Sequence, residues 1–252
     1  MPGRKLPIVA GMATMPTRAH SLPRALASIL PQVDRLYLYL DKHETIPEIV
    51  ASDGKIIPVQ QTDYPGLQCD GKFLPLVIEH GEFLYLGPDD DIIYPPTYVA
   101  DMQAAISRHE TSRPGQRAIF GVHAVTLKQP FDRYLNSRDC INFAHALDHD
   151  TEVDILGTGT VFFPSRWLRF DPRIWKVKNV SDLSLALEAE RQGVARIAVK
   201  RPQNYLLAIE EDQDDSIWRQ IKADDLPKSL LAAELLKLKH RQALPRIDCR
   251  LD

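Results

Sequence analysis

What most constrains this chain is the passage FLYLGPDDDIIYPP, in which Asp89, Asp90 and Asp91 leave an apolar, aromatic run and two prolines follow. FLYL is hydrophobic enough to be a buried strand, and Pro95 and Pro96 stop a strand or helix from continuing through them. In strand-like backbone successive side chains point to opposite faces, so Asp89 and Asp91 share one face and Asp90 takes the other. Carboxylates this close repel unless a positive group lies between them. A divalent cation holding a phosphate answers that need, since Mg2+ and Mn2+ take hard oxygen ligands and leave positions for water and phosphate oxygens. An acidic surface turn is the competing reading, because turns favour Asp.

A chain of 252 residues can bury a substantial core, and no internal repeat or low-complexity linker divides it, so one domain is expected. Its 26% charged residues, 44% hydrophobic residues and formal charge of -3 carry no mark of a general nucleic-acid binder. Cys69, Cys140 and Cys249 are too few and too scattered for a disulfide framework or a cysteine-rich zinc site. That fits a reducing compartment and leaves them as small buried hydrophobes. The opening GRKLPIVAGMATMPTR has a basic start, but its apolar part is short and interrupted, so it reads as a first strand rather than a leader. No stretch nears the roughly 20 apolar residues that cross a bilayer, so the expectation is a soluble protein, attached at most to a membrane surface.

In chain order, LPIVAGMA is a buried strand and SLPRALASIL a helix opened by Ser21 and Pro23 and ended by Pro31. RLYLYLD is a second strand with Asp41 at its tip, and KIIPVQQ is a third. KFLPLVIEH precedes FLYL, with Pro75 opposing a continuous helix. TYVADMQAAISRHE is helical, with Tyr98, Met102, Ala105 and Ile106 on its core face, and AIFGVHAVTL follows as the next strand. The polar stretch from Lys128 to Asp154 is long for a plain connection, and long ordered loops are often functional. ILGTGTVFFP comes next. Strands alternating with helices predict an α/β sheet whose ligands gather beyond the carboxyl ends of the strands, where Asp41 and the Asp run both fall.

Gly157 and Gly159 do not make a phosphate-binding P-loop, because no lysine follows and the chain enters an apolar strand rather than a helix. They suit a close backbone approach or a bulge at a site wall. NVSDLSLALEAERQGV is a helix with Ser181 as N-cap, Asp182 in the first turn and Gly193 past its end. The dipole keeps Asp182 ionised, which suits either a proton acceptor or a residue that only complements the helix. The acidic segment from Glu210 to Asp225 is a candidate mobile loop whose Trp218 either anchors a lid or packs on the domain edge. KSLLAAELLKLKHRQAL is an amphipathic helix ending in Lys237, Lys239, His240 and Arg241, which suit the dipole; docking on the domain competes with membrane binding. His123 after a strand, and Trp167 and Trp175 before Asp182, each weigh a ligand contact against plain packing.

Together these segments resemble the GT-A fold nucleotide-sugar glycosyltransferases, in particular bacterial members near the large inverting family 2. The resemblance spans roughly the first 200 residues and rests on the order of IVAGMATMPTR, SILPQ, LYLYLD, CDGKF, LYLGPDDDIIYPPTYV, LGTGTVFF and VSDLSLALEAERQGV. It implies a Rossmann-like, mostly parallel sheet flanked by helices in residues 1–204, with the acidic loop and C-terminal helix of residues 205–252 packed on the same domain. Pro16, Thr17 and Arg18 would lie beside the nucleotide, and Asp41 would recognise the base, often uracil. Asp70 and Lys72 of CDGKF would border the nucleotide, Lys72 compensating diphosphate charge. Asp89 and Asp91 look like the outer members of a DxD motif, the first near the ribose and both serving Mn2+ or Mg2+, with Asp90 on the nucleotide side. Asp182 resembles the catalytic base, while Gly157, Thr158, Gly159, His123 and Trp175 are candidates for contact with donor sugar or acceptor. Ser181 stands where many members carry an acidic residue, and CDGKF departs from the commoner Ala-Arg-Asn pattern. No Gln-x-x-Arg-Trp signature follows, which implies a non-processive enzyme.

The activity this implies is metal-dependent, inverting transfer of a sugar from a nucleotide-sugar, UDP-sugar favoured, to a hydroxyl of a glycan or lipid-linked glycan in bacterial surface polysaccharide synthesis. The expected setting is the cytoplasm, with no nucleic-acid partner and with peripheral attachment to the inner membrane face through the C-terminal helix as a further expectation. Two readings stand beside it. A sugar nucleotidyltransferase would carry a glycine-rich phosphate loop that GMATMPTR lacks, and a non-catalytic subunit would bind nucleotide-sugar or glycan without turnover.

Overall fold

The computed structural model describes residues 6–209 and 224–243. Most of the acidic segment, with Trp218, and Cys249 lie outside the described residues. The uncharged run IVAGMAT forms β1 (Ile8–Thr14), six of whose seven residues are buried, as a strand covered on both faces requires. β2 (Arg35–Leu40) and β3 (Ile56–Gln60) extend the sheet in parallel on one side of it, and β4 (Leu84–Pro88) pairs parallel on the other. After the two-residue β5 (Ile92–Ile93) come β6 (Ala118–Gly121), β7 (Ala124–Leu127), β8 (Arg138–Ile141), β9 (Thr151–Glu152) and β10 (Ile155–Leu156). β11 (Thr160–Pro164), β12 (Ala195–Ala198) and β13 (Leu207–Ala208) complete the strands among the described residues.

The main sheet has the order β3-β2-β1-β4-β11-β6-β12-β9. Only β11 and β9 run against the other six strands. This is the mixed, mostly parallel α/β architecture that the resemblance implies. Two small sheets, β10-β7-β8 and β13-β5, flank it.

The helices are α1 (Leu22–Ile29), the short α2 (Glu48–Ala51) and α3 (Pro75–Ile78), α4 (Tyr98–Ser112), α5 (Ser181–Arg191) and α6 (Leu226–Ala243). Alternation along β1 sorts them. Ala10 and Met12 meet Leu22 and Leu26 of α1 and Tyr98, Met102 and Ala105 of α4 in one core cluster, whereas Val9 belongs to the cluster that holds Leu185 and Ala189 of α5. Each fully buried Leu or Phe contributes roughly 1.5–3 kcal/mol, so the strand ends are firmly held. α6 begins at Leu226, ahead of KSLL, and packs on α5 through Ala232, Leu235, Leu183 and Leu187.

Three expectations need correction. AIFGVHAVTL is two strands in two different sheets, because the Thr160 hydroxyl accepts the N–H groups of Val122 (3.0 Å) and His123 (3.1 Å) and so draws the chain away from the main ladder. Ser181 does not cap α5. The helix starts at Ser181 itself with Val180 as N-cap, and the serine hydroxyl is engaged elsewhere. Cys140 is exposed on β8 rather than a buried hydrophobe, and Cys69 is only partly buried.

Candidate active site

Because β1, β2 and β4 are parallel, their carboxyl ends open on one edge, where Asp41, Thr14 and Asp89 follow one another across the sheet. Asp41 lies at the tip of β2, its N–H bonded to the Thr14 carbonyl (2.9 Å). Burial pushes its carboxyl up, opposed by Lys42 and His43. Pro16, Thr17 and Arg18 form a 3-10 turn after β1, with Pro16 and Thr17 exposed and Arg18 buried. Asp90 turns inward as the alternation predicts. Its carboxyl is pushed up to about 7, by burial first and then by the charges of Asp91 and Asp89, against the pull of Thr14 and Arg18.

Asp89 remains accessible and accepts the ammonium of Lys72, which is itself buried. Burial works against the charge on Lys72, but Asp89 more than restores it. Asp91 is pushed up to about 6 by burial and by the neighbouring charge of Asp89, so the repulsion inferred for this face is present. Among the described residues no group of three or more His, Cys, Asp or Glu side chains forms a metal cage. One or two carboxylates that leave the other positions to water and phosphate are nonetheless what Mg2+ requires. Asp89 and Asp91 therefore fit a cation that arrives with a diphosphate better than one held by protein alone.

Two features fix Asp89. The Tyr94 hydroxyl accepts the Asp89 N–H (2.8 Å) and donates to the Gly159 carbonyl (2.6 Å). A Cβ added at Gly159 would lie 1.9 Å from Asp89 Oδ2, so the close approach expected of this glycine is made to the carboxylate. Asp70 lies inside the protein. It is fully buried, accepting the Ser181 hydroxyl at 2.7 Å and facing Lys178 Nζ at 3.6 Å. Asp70 and Ser181 thus tie the CDGKF segment to the start of α5.

That tie positions Asp182, whose side chain is 31% exposed. Its Oδ1 accepts both the N–H (2.9 Å) and the hydroxyl (3.0 Å) of Thr158, and Lys228 Nζ of α6 stands 3.9 Å from Oδ2. Burial alone would raise this carboxyl, but Lys228, Thr158 and His123 outweigh it, and the net shift is downward. His123 sits at the break between β6 and β7 with its buried Nδ1 unpartnered and Nε2 3.6 Å from Cys140 Sγ. Its ring is biased toward the neutral form by burial, against the pull of Asp182.

The tripeptide Gly157-Thr158-Gly159 thus joins the two sides, Thr158 binding Asp182 and Gly159 pressing on Asp89. Trp175 is packed among aromatic rings, stacking on Phe170 (5.0 Å between centroids) and meeting Phe73 edge-on (5.4 Å), and Trp167 is likewise a core residue. Tyr94, Ser181 and Lys228 contact the candidate residues in ways that local sequence did not reveal. Tyr94 had one signal, its place three residues after the Asp run; Lys228 had none.

No family model matches the chain, and no curated protein matches it significantly. Among solved structures it is similar to S. aureus TarS 1–349 in complex with UDP-GlcNAc, at 14% identity and a TM-score of 0.53, over 94% of this chain and 73% of that one. A second S. aureus TarS 1–349 structure gives 14% identity over 95% and 73% of the two chains, with a TM-score of 0.48. The chain has a GT-A fold. The carboxyl ends of β1, β2 and β4 lie together on one edge of its main sheet, the kind of edge at which open α/β sheets bind ligands.

Proposed function

We propose that this protein is a non-processive glycosyltransferase that moves a sugar, with inversion, from a nucleotide-sugar to a hydroxyl of a glycan or lipid-linked glycan, as in surface polysaccharide synthesis. The observation that carries the reading is the short Gly157-Thr158-Gly159 bridge, which sets a crowded carboxylate pair and an ionised carboxylate on either side of one loop. The UDP-GlcNAc bound to TarS, which shares the fold, supports a UDP-sugar as donor.

On the donor side, Asp41 and the Pro16–Arg18 turn border the nucleoside, and Lys72 with Arg18 answers the diphosphate charge. A Mn2+ or Mg2+ ion at Asp89 and Asp91 would neutralise charge that grows on the leaving diphosphate. On the acceptor side, Asp182 Oδ1 is occupied by Thr158, so Oδ2 takes the proton of the attacking hydroxyl. The acceptor oxygen bonds to the anomeric carbon, the bond from that carbon to the diphosphate oxygen breaks, and its electron pair leaves with the nucleotide. Attack from the face opposite the leaving group inverts the configuration.

Calorimetric titration with UDP, GDP and CDP, with Mn2+ and again with a chelator, tests this reading. We expect binding of UDP that requires the cation and is lost in Asp91→Ala. Failure of all three nucleotides to bind would overturn it.

A further inference from the structure

Lys228 is placed where a partner has to hold its charge. It lies in the first turn of α6, where the positive end of the helix dipole disfavours a cation. It is 7% exposed, and burial of an ammonium is costly unless it is paired. It also shares the Tyr134 ring with a second cation, Lys228 Nζ lying 5.3 Å and Arg138 Cζ 4.8 Å from the ring centroid. Burial, reinforced by Arg138, pushes the ammonium toward its neutral form, against the pull of Asp182. A side chain placed against local preference on this scale marks a functional position.

The surroundings hold it there. Ser229 Oγ accepts the Tyr134 N–H (2.9 Å), Asp225 Oδ2 accepts the Leu135 N–H (3.1 Å) and Arg133 pairs with Asp225 (2.6 Å). These contacts pin the start of α6 over the turn before β8, and Lys228 reaches from there to Asp182. The other titratable or charged groups facing this pair are His123 between β6 and β7, Tyr134 in the turn before β8, Arg138 and Cys140 on β8, and Cys69 and Lys72 from the CDGKF segment.

We propose that Lys228 is a positioning residue for the transfer reaction, delivered by α6 to hold Asp182 in its proton-accepting form with Oδ2 turned to the acceptor. Thr158 fixes one carboxylate oxygen, and Lys228, at 3.9 Å rather than in direct hydrogen-bond contact, fixes the charge while leaving the other oxygen open. The inference rests on the reading of Asp182 as the base.

The test compares wild type, Lys228→Met and Lys228→Arg by carbon-13 titration of the side-chain carboxyls, with Asp182 assigned through Asp182→Asn. It adds the pH profile of UDP release from UDP-GlcNAc. We expect the Asp182 titration to move to higher pH in the methionine variant and to return in the arginine variant. The acid limb of turnover should move with it, so that activity at the acid end falls on the order of tenfold more than at the neutral plateau. An Asp182 titration unmoved by Lys228→Met overturns the proposal. A titration that moves while the turnover profile stays put overturns the assignment of Asp182 as base and leaves the contact standing. Lys228→Gln repeats the measurement if the methionine variant does not fold.

Discussion

Asp91 and Asp182 are the same side chain under opposite rules. At the end of β4, burial and a neighbouring carboxylate push Asp91 up to about 6. At the start of α5 burial acts in the same direction, yet Lys228 and Thr158 overcome it and hold Asp182 below the ordinary carboxyl range. The turn after β4 therefore crowds negative charge, and on the proposed reading a cation arriving with the donor would complete it. Asp182 has its counter-charge supplied by Lys228. Environments that separate the titrations of like groups are how one fold assigns them different tasks.

The sharpest way to break this contrast is Asp182→Asn, which should lower turnover by roughly 10²- to 10⁴-fold while UDP affinity in calorimetry stays within about twofold, since the donor side is untouched. The pH profile should agree. A depressed folded value keeps Asp182 ionised from neutral pH down past its unfolded range near ~3.9. Both its basicity and its contribution to stability are then present above that range and lost only as pH falls through the lower folded value.

Gly159→Ala attacks the other side. Its added methyl would occupy the space of Asp89 Oδ2, so Mn2+-dependent UDP binding should weaken on the order of tenfold to a hundredfold. The melting temperature should fall as well, because moving Asp89 leaves the buried Lys72 ammonium without its carboxylate. Unchanged UDP binding would dissociate Asp89 from the nucleotide.

The smallest effect is expected from Tyr94→Phe. The variant leaves the Gly159 carbonyl and the Asp89 N–H without their shared partner. Urea denaturation should show a loss of about 1–3 kcal/mol, with Asp182-dependent chemistry retained at saturating donor.

The sheet and its carboxyl-end residues were legible because a buried parallel strand is a local apolar run, and β1, β2 and β4 each announce themselves within a few residues. α4 was legible for the same kind of reason, its core stripe recurring at helical spacing. The break at His123 was not, since the hydroxyl that causes it belongs to Thr160, and a contact across that separation leaves no trace in local periodicity. The partner of Asp70 was not legible either, since one of its oxygens is taken by Ser181, far along the chain. The same contact explains why Ser181 fails as a cap, for a hydroxyl committed to Asp70 is not available to its own helix.

The chain position of α6 has a consequence for how the molecule is made. The strands of the main sheet, through β12, all precede Leu226 in the chain, yet a single domain folds as one unit. A chain cut short of α6 would therefore contain every strand of that sheet, with Gly159 beside Asp89 and Thr158 beside Asp182, but not the ammonium that faces Asp182. The turn after β4 is built from the sheet region alone, whereas the surroundings of Asp182 are whole only with the first turn of α6.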